Sequence, residues 1–105
     1  KLLDIPMGVK SSVHLAIIRL NDQSEKHHRC VFESLLSYGI GVQVHYSPIH
    51  LQPFYRNMGF KEGDFPIAEN YSKNAISLPL HLDLKTTDIE LIVSQLSIAI
   101  ENCST

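Results

Sequence analysis

Residues 13–20 read VHLAIIRL, and only His14 and Arg19 among them are polar. A short run this rich in β-branched and apolar residues predicts a strand buried on most of both faces. Upstream, residues 1–12 contain Pro6 and Gly8 and show no period, so they read as an irregular entry segment. Downstream, residues 21–24 (NDQS) form a turn and a helix start, with Asp22 and Glu25 spaced for a capping box. His28, Val31, Phe32, Leu35 and Leu36 then recur at helical spacing, and Gly39 stands where a left-handed terminator is expected. The helix should cover residues 24–38.

The rest of the chain repeats this alternation of short elements. Residues 41–46 (GVQVHY) predict a second strand, with Val42, Val44 and Tyr46 on one face and Gln43 and His45 on the other. Pro48 and Pro53 break the pattern, and residues 51–58 have room for one helical turn. Pro66 suits the first position of a short helix over residues 66–73. Residues 75–78 (AISL) predict a strand stopped by Pro79. Thr87 with Glu90 offers another capping box. It opens a helix with an apolar stripe of Ile89, Ile92, Val93, Leu96, Ala99 and Ile100. The order β-α-β-(α)-α-β-α predicts an α+β fold of two layers, a short, mostly antiparallel sheet with the first and last helices on one face.

At 105 residues the chain is one domain or part of one. Hydrophobic residues at 44% and charged residues at 19% fit a folded chain. A net charge of −2, with no basic run, argues against nucleic acid as a partner. No apolar run reaches the roughly 20 residues of a membrane span, and no secretory leader pattern opens the sequence. Cys30 and Cys103 both fall in helical patterns and read as separately packed thiols in a reducing compartment, which points to the cytoplasm.

Chemistry concentrates in residues 41–55, GVQVHYSPIHLQPFY. Histidine and tyrosine at a strand end, followed by a proline-stiffened loop, are placed to line a cleft. Several readings compete. A metal site on His45 and His50 has only the distant Glu69 as a third ligand, where zinc takes three or four. A catalytic triad lacks a serine in a nucleophile elbow and a neighbouring cysteine. A ligand-contacting loop whose catalytic partners lie elsewhere fits the residue types. A hydrogen-bonded turn without a ligand fits them too. His14, His27, His28 and His81 read as surface or packing residues, and Arg19 as the cap of a sheet edge.

The motif His45-Tyr46-x-Pro48-x-His50-x-x-Pro53, preceded by Gly39-Ile40-Gly41, resembles a signature of the DegT/StrS-type (DegT/DnrJ/EryC/StrS) nucleotide-sugar aminotransferases. His14-Leu15 with Ile17-Ile18-Arg19, the stretch Asp64-Phe65-Pro66-Ile67-Ala68-Glu69, Ile76-Ser77-Leu78-Pro79-Leu80 and the closing helix from Asp88 extend the resemblance over nearly the whole chain. Residues 43–46 and 63–66 look closest to the branch serving pseudaminic acid biosynthesis.

The resemblance implies a fold-type I enzyme in which a large domain binds pyridoxal phosphate through a Schiff-base lysine. Residues 1–105 would be its C-terminal small domain, inactive alone, since none of the six lysines lies in the family's Schiff-base loop. It implies a homodimeric parent that moves an amino group from glutamate to a UDP-linked 4-keto-6-deoxy sugar. The resemblance further implies substrate contact by Gln43, Val44, His45, Tyr46, His50 and Tyr55, through hydrogen bonds and stacking rather than proton transfer. A stand-alone sugar-nucleotide-binding module, or a sugar dehydratase of the same family, remain as alternatives.

Overall fold

A computed structural model describes every residue except Val13, Asp22, Gln23, His45, Ser104 and Thr105. The elements run β1 (Ala16–Arg19), α1 (Glu25–Ser37), a 3-10 turn (Ile49–Leu51), α2 (Pro53–Arg56), α3 (Pro66–Asn74), β2 (Ala75–Leu78) and α4 (Thr86–Cys103). β1 and β2 pair antiparallel, with Ala16 opposite Leu78 and Arg19 opposite Ala75. Single bridges extend the ladder on both sides, Leu2 to Ile18 and Gln43 to Ser77.

The α+β expectation holds: α1 and α4 pack on each other and share one core with residues of the two strands. Val31 and Leu35 of α1, Ile92 and Ala99 of α4, Ile18, Ile76 and Val42 form one buried cluster. Burying such aliphatic side chains gives about 1.5–3 kcal/mol each. The helical stripe on α4 is narrower than the sequence suggests. Ile92 and Ala99 are buried, Leu96 and Ile100 pack beside them, and Ile89 and Val93 are half exposed.

Two histidines from the α1 pattern are structural ties. The Nδ1–H of the buried His27 donates to the Cys103 carbonyl at 3.0 Å. The Nε2–H of His28 donates to the Ala75 carbonyl at 2.9 Å. A carbonyl can only accept, so each contact fixes the ring tautomer.

Three expectations need correction. Among the described residues of 41–46 no strand forms, and Gln43 alone pairs, its N–H and carbonyl both bonded to Ser77. Residues 75, 77 and 79 share one edge of β2 by strand alternation. Pro79 has no N–H to continue the ladder, and the Ala75 carbonyl is taken by His28. At α1 the cap is Ser24, whose hydroxyl accepts the His27 N–H at 3.3 Å. The capping box assigned to Asp22 lies outside the described residues. At α4 the capping acid is Asp88, not Glu90: its carboxylate accepts the Lys85 N–H at 3.0 Å. Finally, Cys30 and Cys103 are disulfide-bonded, because the last turn of α4 lies on α1 and brings the two Cα atoms to 5.8 Å. The reducing compartment inferred from free thiols loses that basis.

Candidate functional site

α3 begins without a conventional cap. Its N-cap residue, Phe65, has no side-chain acceptor, and Pro66 occupies the first helical position. Glu69, one turn in, supplies the missing acceptor. Its Oε2 takes the Phe65 N–H at 3.0 Å, and its Oε1 takes the Gly63 N–H at 2.8 Å. A negative charge in the first turn is favoured by the helix dipole. Gly63 adopts φ +96°, which lets its N–H point at the carboxylate.

The same carboxylate holds His50, whose Nε2 lies 3.2 Å from Oε2. Both side chains are buried, at 8% and 7% exposure. The Gly63 N–H lowers the Glu69 pKa, burial opposes it, and the Phe65 N–H and His50 reinforce the lowering. An ionised carboxylate only accepts hydrogen bonds, so His50 Nε2 carries a proton and donates. One residue of α3 therefore ties together the loop before it and the 3-10 turn at Ile49–Leu51.

Aromatic rings continue from this tie. His50 meets Phe65 edge-on at 4.9 Å, Phe65 lies 6.2 Å from Phe60, and Phe60 lies 6.1 Å from Tyr55. The His50–Phe65 and Phe60–Tyr55 pairs are edge-to-face and the Phe60–Phe65 pair is tilted, and aromatic pairs of this kind add roughly 0.5–1.5 kcal/mol each beyond burial. Together with Tyr46, Ile67 and Tyr71, these rings line an open groove of about 1040 Å3. Its walls are mainly apolar, and its polar groups are few, a composition suited to a small organic ligand.

Of the sequence-predicted contacts, Tyr46, His50 and Tyr55 line this groove. Tyr46 is 72% exposed and Tyr55 37%. Gln43 and Val44 are not among the lining residues; Gln43 holds the edge of β2 instead. His45 lies outside the described residues. His50 is committed to Glu69. Among the described residues, no group of three or more histidines, cysteines or carboxylates is arranged for a metal ion.

The sequence reading gave Glu69 only a remote part and missed Phe60, Phe65 and Tyr71. An acidic residue one turn into a helix whose N-cap side chain cannot accept a bond was the available signal for Glu69. The aromatic wall carried no periodic signal, because it joins Tyr55 of α2 and Tyr71 of α3 with the loop residues Phe60 and Phe65.

A sugar aminotransferase from Streptococcus pneumoniae, Spr1654 in its PLP form, has the same fold over 99% of this chain and 27% of its own, with a TM-score of 0.92 and 30% identity. Helicobacter pylori PseC, an aminotransferase of pseudaminic acid biosynthesis, superposes over 84% of this chain and 24% of its own, with a TM-score of 0.75 and 28% identity. The chain belongs to the DegT/DnrJ/EryC1/StrS aminotransferase family, whose profile matches residues 2–97. A UDP-4-amino-4,6-dideoxy-N-acetyl-beta-L-altrosamine transaminase from Campylobacter jejuni is 37% identical over 83 residues, which are 79% of this chain and 22% of the relative. The Bacillus subtilis spore coat polysaccharide biosynthesis protein SpsC is 34% identical over 83 residues, 76% of this chain and 21% of the relative. The chain thus spans about a fifth of the length of these relatives.

The PLP form of the neighbouring structure directs attention to that cofactor, which needs a lysine amine. No lysine is among the described residues lining the groove. Lys73 on α3 pairs with Glu25 at 3.4 Å and Glu62 at 3.8 Å instead. These residues do not fit the cofactor by themselves, and what they offer is recognition by ring faces and hydrogen bonds.

Proposed function

We propose that this chain is the C-terminal small domain of a pyridoxal-phosphate-dependent aminotransferase, and that its groove forms part of a nucleotide-sugar pocket. The observation that carries the proposal is the groove itself: Tyr46, His50 and Tyr55 converge on one apolar recess in a chain of the sugar-aminotransferase family. Tyr46 and Tyr55 offer flat faces and hydroxyls to a sugar or base, while Glu69 holds the His50 ring in place. His50 positions and binds; it moves no proton in this scheme.

In this reading a large domain supplies the lysine and the cofactor, and the parent works as a homodimer in the cytoplasm. The amino group passes from glutamate to a 4-keto-6-deoxy sugar on UDP, within bacterial surface-sugar biosynthesis. The Campylobacter jejuni relative and the PseC neighbour support the pseudaminic branch.

The test is an NMR titration of the chain with UDP-N-acetylglucosamine. Shifts confined to residues 46–55 and 60–72 at sub-millimolar ligand are expected. A flat titration overturns the pocket assignment. Separately, the chain mixed with pyridoxal phosphate and borohydride should retain no stoichiometric adduct. Retention of one would overturn the placement of the lysine in another domain.

A further inference from the structure

The Cys30–Cys103 disulfide lies at the edge of an open recess that shares no lining residue with the groove. Lys26, Arg29, Cys30, Glu33 and Ser34 follow one another at steps of about one helical turn and share one face of α1. They line this recess of about 440 Å3. Lys26, Arg29 and Glu33 are exposed, and both cysteines are half-buried. Inside a helix the backbone is covered by its own turns, so the surface that Cys30 shows belongs to its Cβ and Sγ. Of the two cysteines, Cys30 is the one that lines the recess.

Ser34 makes the two sulfurs unequal. Its hydroxyl lies 3.8 Å from Cys103 Sγ. A disulfide sulfur carries no proton, so the hydroxyl is the donor. It favours negative charge on Cys103 over negative charge on Cys30. Thiol exchange uses such an asymmetry, because a thiolate attacks one sulfur while the other leaves as a thiolate. The rim adds a charge preference. Two cations, Lys26 and Arg29, against one carboxylate, Glu33, leave one positive charge in excess. A thiolate that carries further negative charge is drawn to such a rim.

We propose that Cys30 is a thiol-exchange site for a small thiol that bears carboxylates. The thiolate attacks Cys30 Sγ from the recess. A new S–S bond forms between the two, the Cys30–Cys103 bond breaks, and its electron pair goes to Cys103 Sγ, which takes a proton from water. The incoming sulfur is oxidised and Cys103 is reduced. A second molecule of the thiol then attacks the small-thiol sulfur of the mixed disulfide, removes it as a disulfide and leaves Cys30 as a thiol. Two thiols are oxidised for one cystine reduced, so electrons and protons balance. The first step turns the covalent staple between α1 and α4 into packing and hydrogen bonds such as that of His27 to the Cys103 carbonyl. The site does not depend on the nucleotide-sugar reading of the groove.

The experiment exposes the oxidised chain to glutathione, quenches with acid at short times, alkylates the free thiols and maps the adducts by peptide mass spectrometry. The first adduct should be glutathione on Cys30 with Cys103 alkylated, favoured over the reverse by about 5-fold or more. In urea that preference should vanish, since it comes from the fold. At equal thiolate concentration, glutathione should react about 5-fold faster than the amine-bearing cysteamine, an advantage that fades with added salt. Lys26→Gln combined with Arg29→Gln should remove that advantage, and Ser34→Ala should even out the two adducts. Four results would each overturn the proposal: no adduct, a first adduct on Cys103 or an even split, the same preference in urea, or cysteamine matching glutathione. All four are read on the wild-type chain, so the test stands even if the variants fail to fold.

Discussion

Reducing the Cys30–Cys103 disulfide should cost this fold much of its stability. The two cysteines are 73 positions apart and join the middle of α1 to the last residue of α4. Closing a loop of that size removes about 15 cal/mol/K from the unfolded chain in the loop-entropy account, or about 4 kcal/mol at 25 °C. A domain of this size has roughly 5–15 kcal/mol in total. In urea, with a slope of about 1–3 kcal/mol/M, the unfolding midpoint should fall by roughly 2 M. The assay is equilibrium urea unfolding followed by far-UV circular dichroism, with and without a phosphine reductant. A Cys30→Ser/Cys103→Ser protein should match the reduced sample. Alkylation of the unreduced protein followed by mass spectrometry should find neither thiol free. Coincident midpoints with and without reductant, or two alkylated cysteines at the outset, would refute the reasoning. In a reducing compartment the dithiol would be the working form, and the remaining margin would rest on the core alone.

Three further outcomes can be checked, by urea unfolding and, for the last, by NMR. Glu69 has a folded pKa below its ordinary value of 4.5, so its ionisation stabilises the fold. That contribution is complete above the ordinary value and is lost as pH falls through the folded one. The gap in urea midpoint between wild type and Glu69→Gln should therefore be widest near about pH 6 and shrink towards about pH 3; a constant gap would count against the carboxylate as the loop's tie. Ile76 is fully buried in β2, so Ile76→Ala should cost about 2–5 kcal/mol; a loss below about 1 kcal/mol would show that the core collapses freely onto the site. At Gly63 a Cβ meets nothing within 4 Å, but φ is +96°. Gly63→Ala should cost about 1–2 kcal/mol from backbone conformation alone and shift the Glu69 and His50 signals; a neutral change would mean that the turn flips without penalty.

How much could be read beforehand varies with the source of each element's order. α1 and α3 and the strand at Ala75–Leu78 were legible because periodicity, Pro66 and Pro79 are local signals. The strand expected over residues 41–46 was not a local matter. Its alternation is present, with Val42 buried, yet pairing stops because Pro79 and the Ala75 carbonyl are unavailable on β2. No property of residues 41–46 reports on either. The disulfide was hidden for a similar reason: two cysteines 73 positions apart meet only after α4 has docked on α1. In the groove, Tyr46, His50 and Tyr55 were found through residue type. Glu69, which holds His50 in place, was visible only as a carboxylate far along the chain.

The long reach of the contacts has a consequence for biogenesis. Val31 and Leu35 are finally covered with the help of Ile92 and Ala99, and β1 waits for β2. Translation at roughly 5–20 residues per second puts some 3–12 s between the emergence of α1 and that of Ala99. Throughout that interval the apolar side of α1 lacks its α4 cover and has only the earlier members of the cluster, such as Ile18 and Val42, to pack on, which leaves it open to holdase chaperones or to a neighbouring nascent chain. Slow codons placed between α1 and α4 would lengthen this exposure, and fast ones would shorten it.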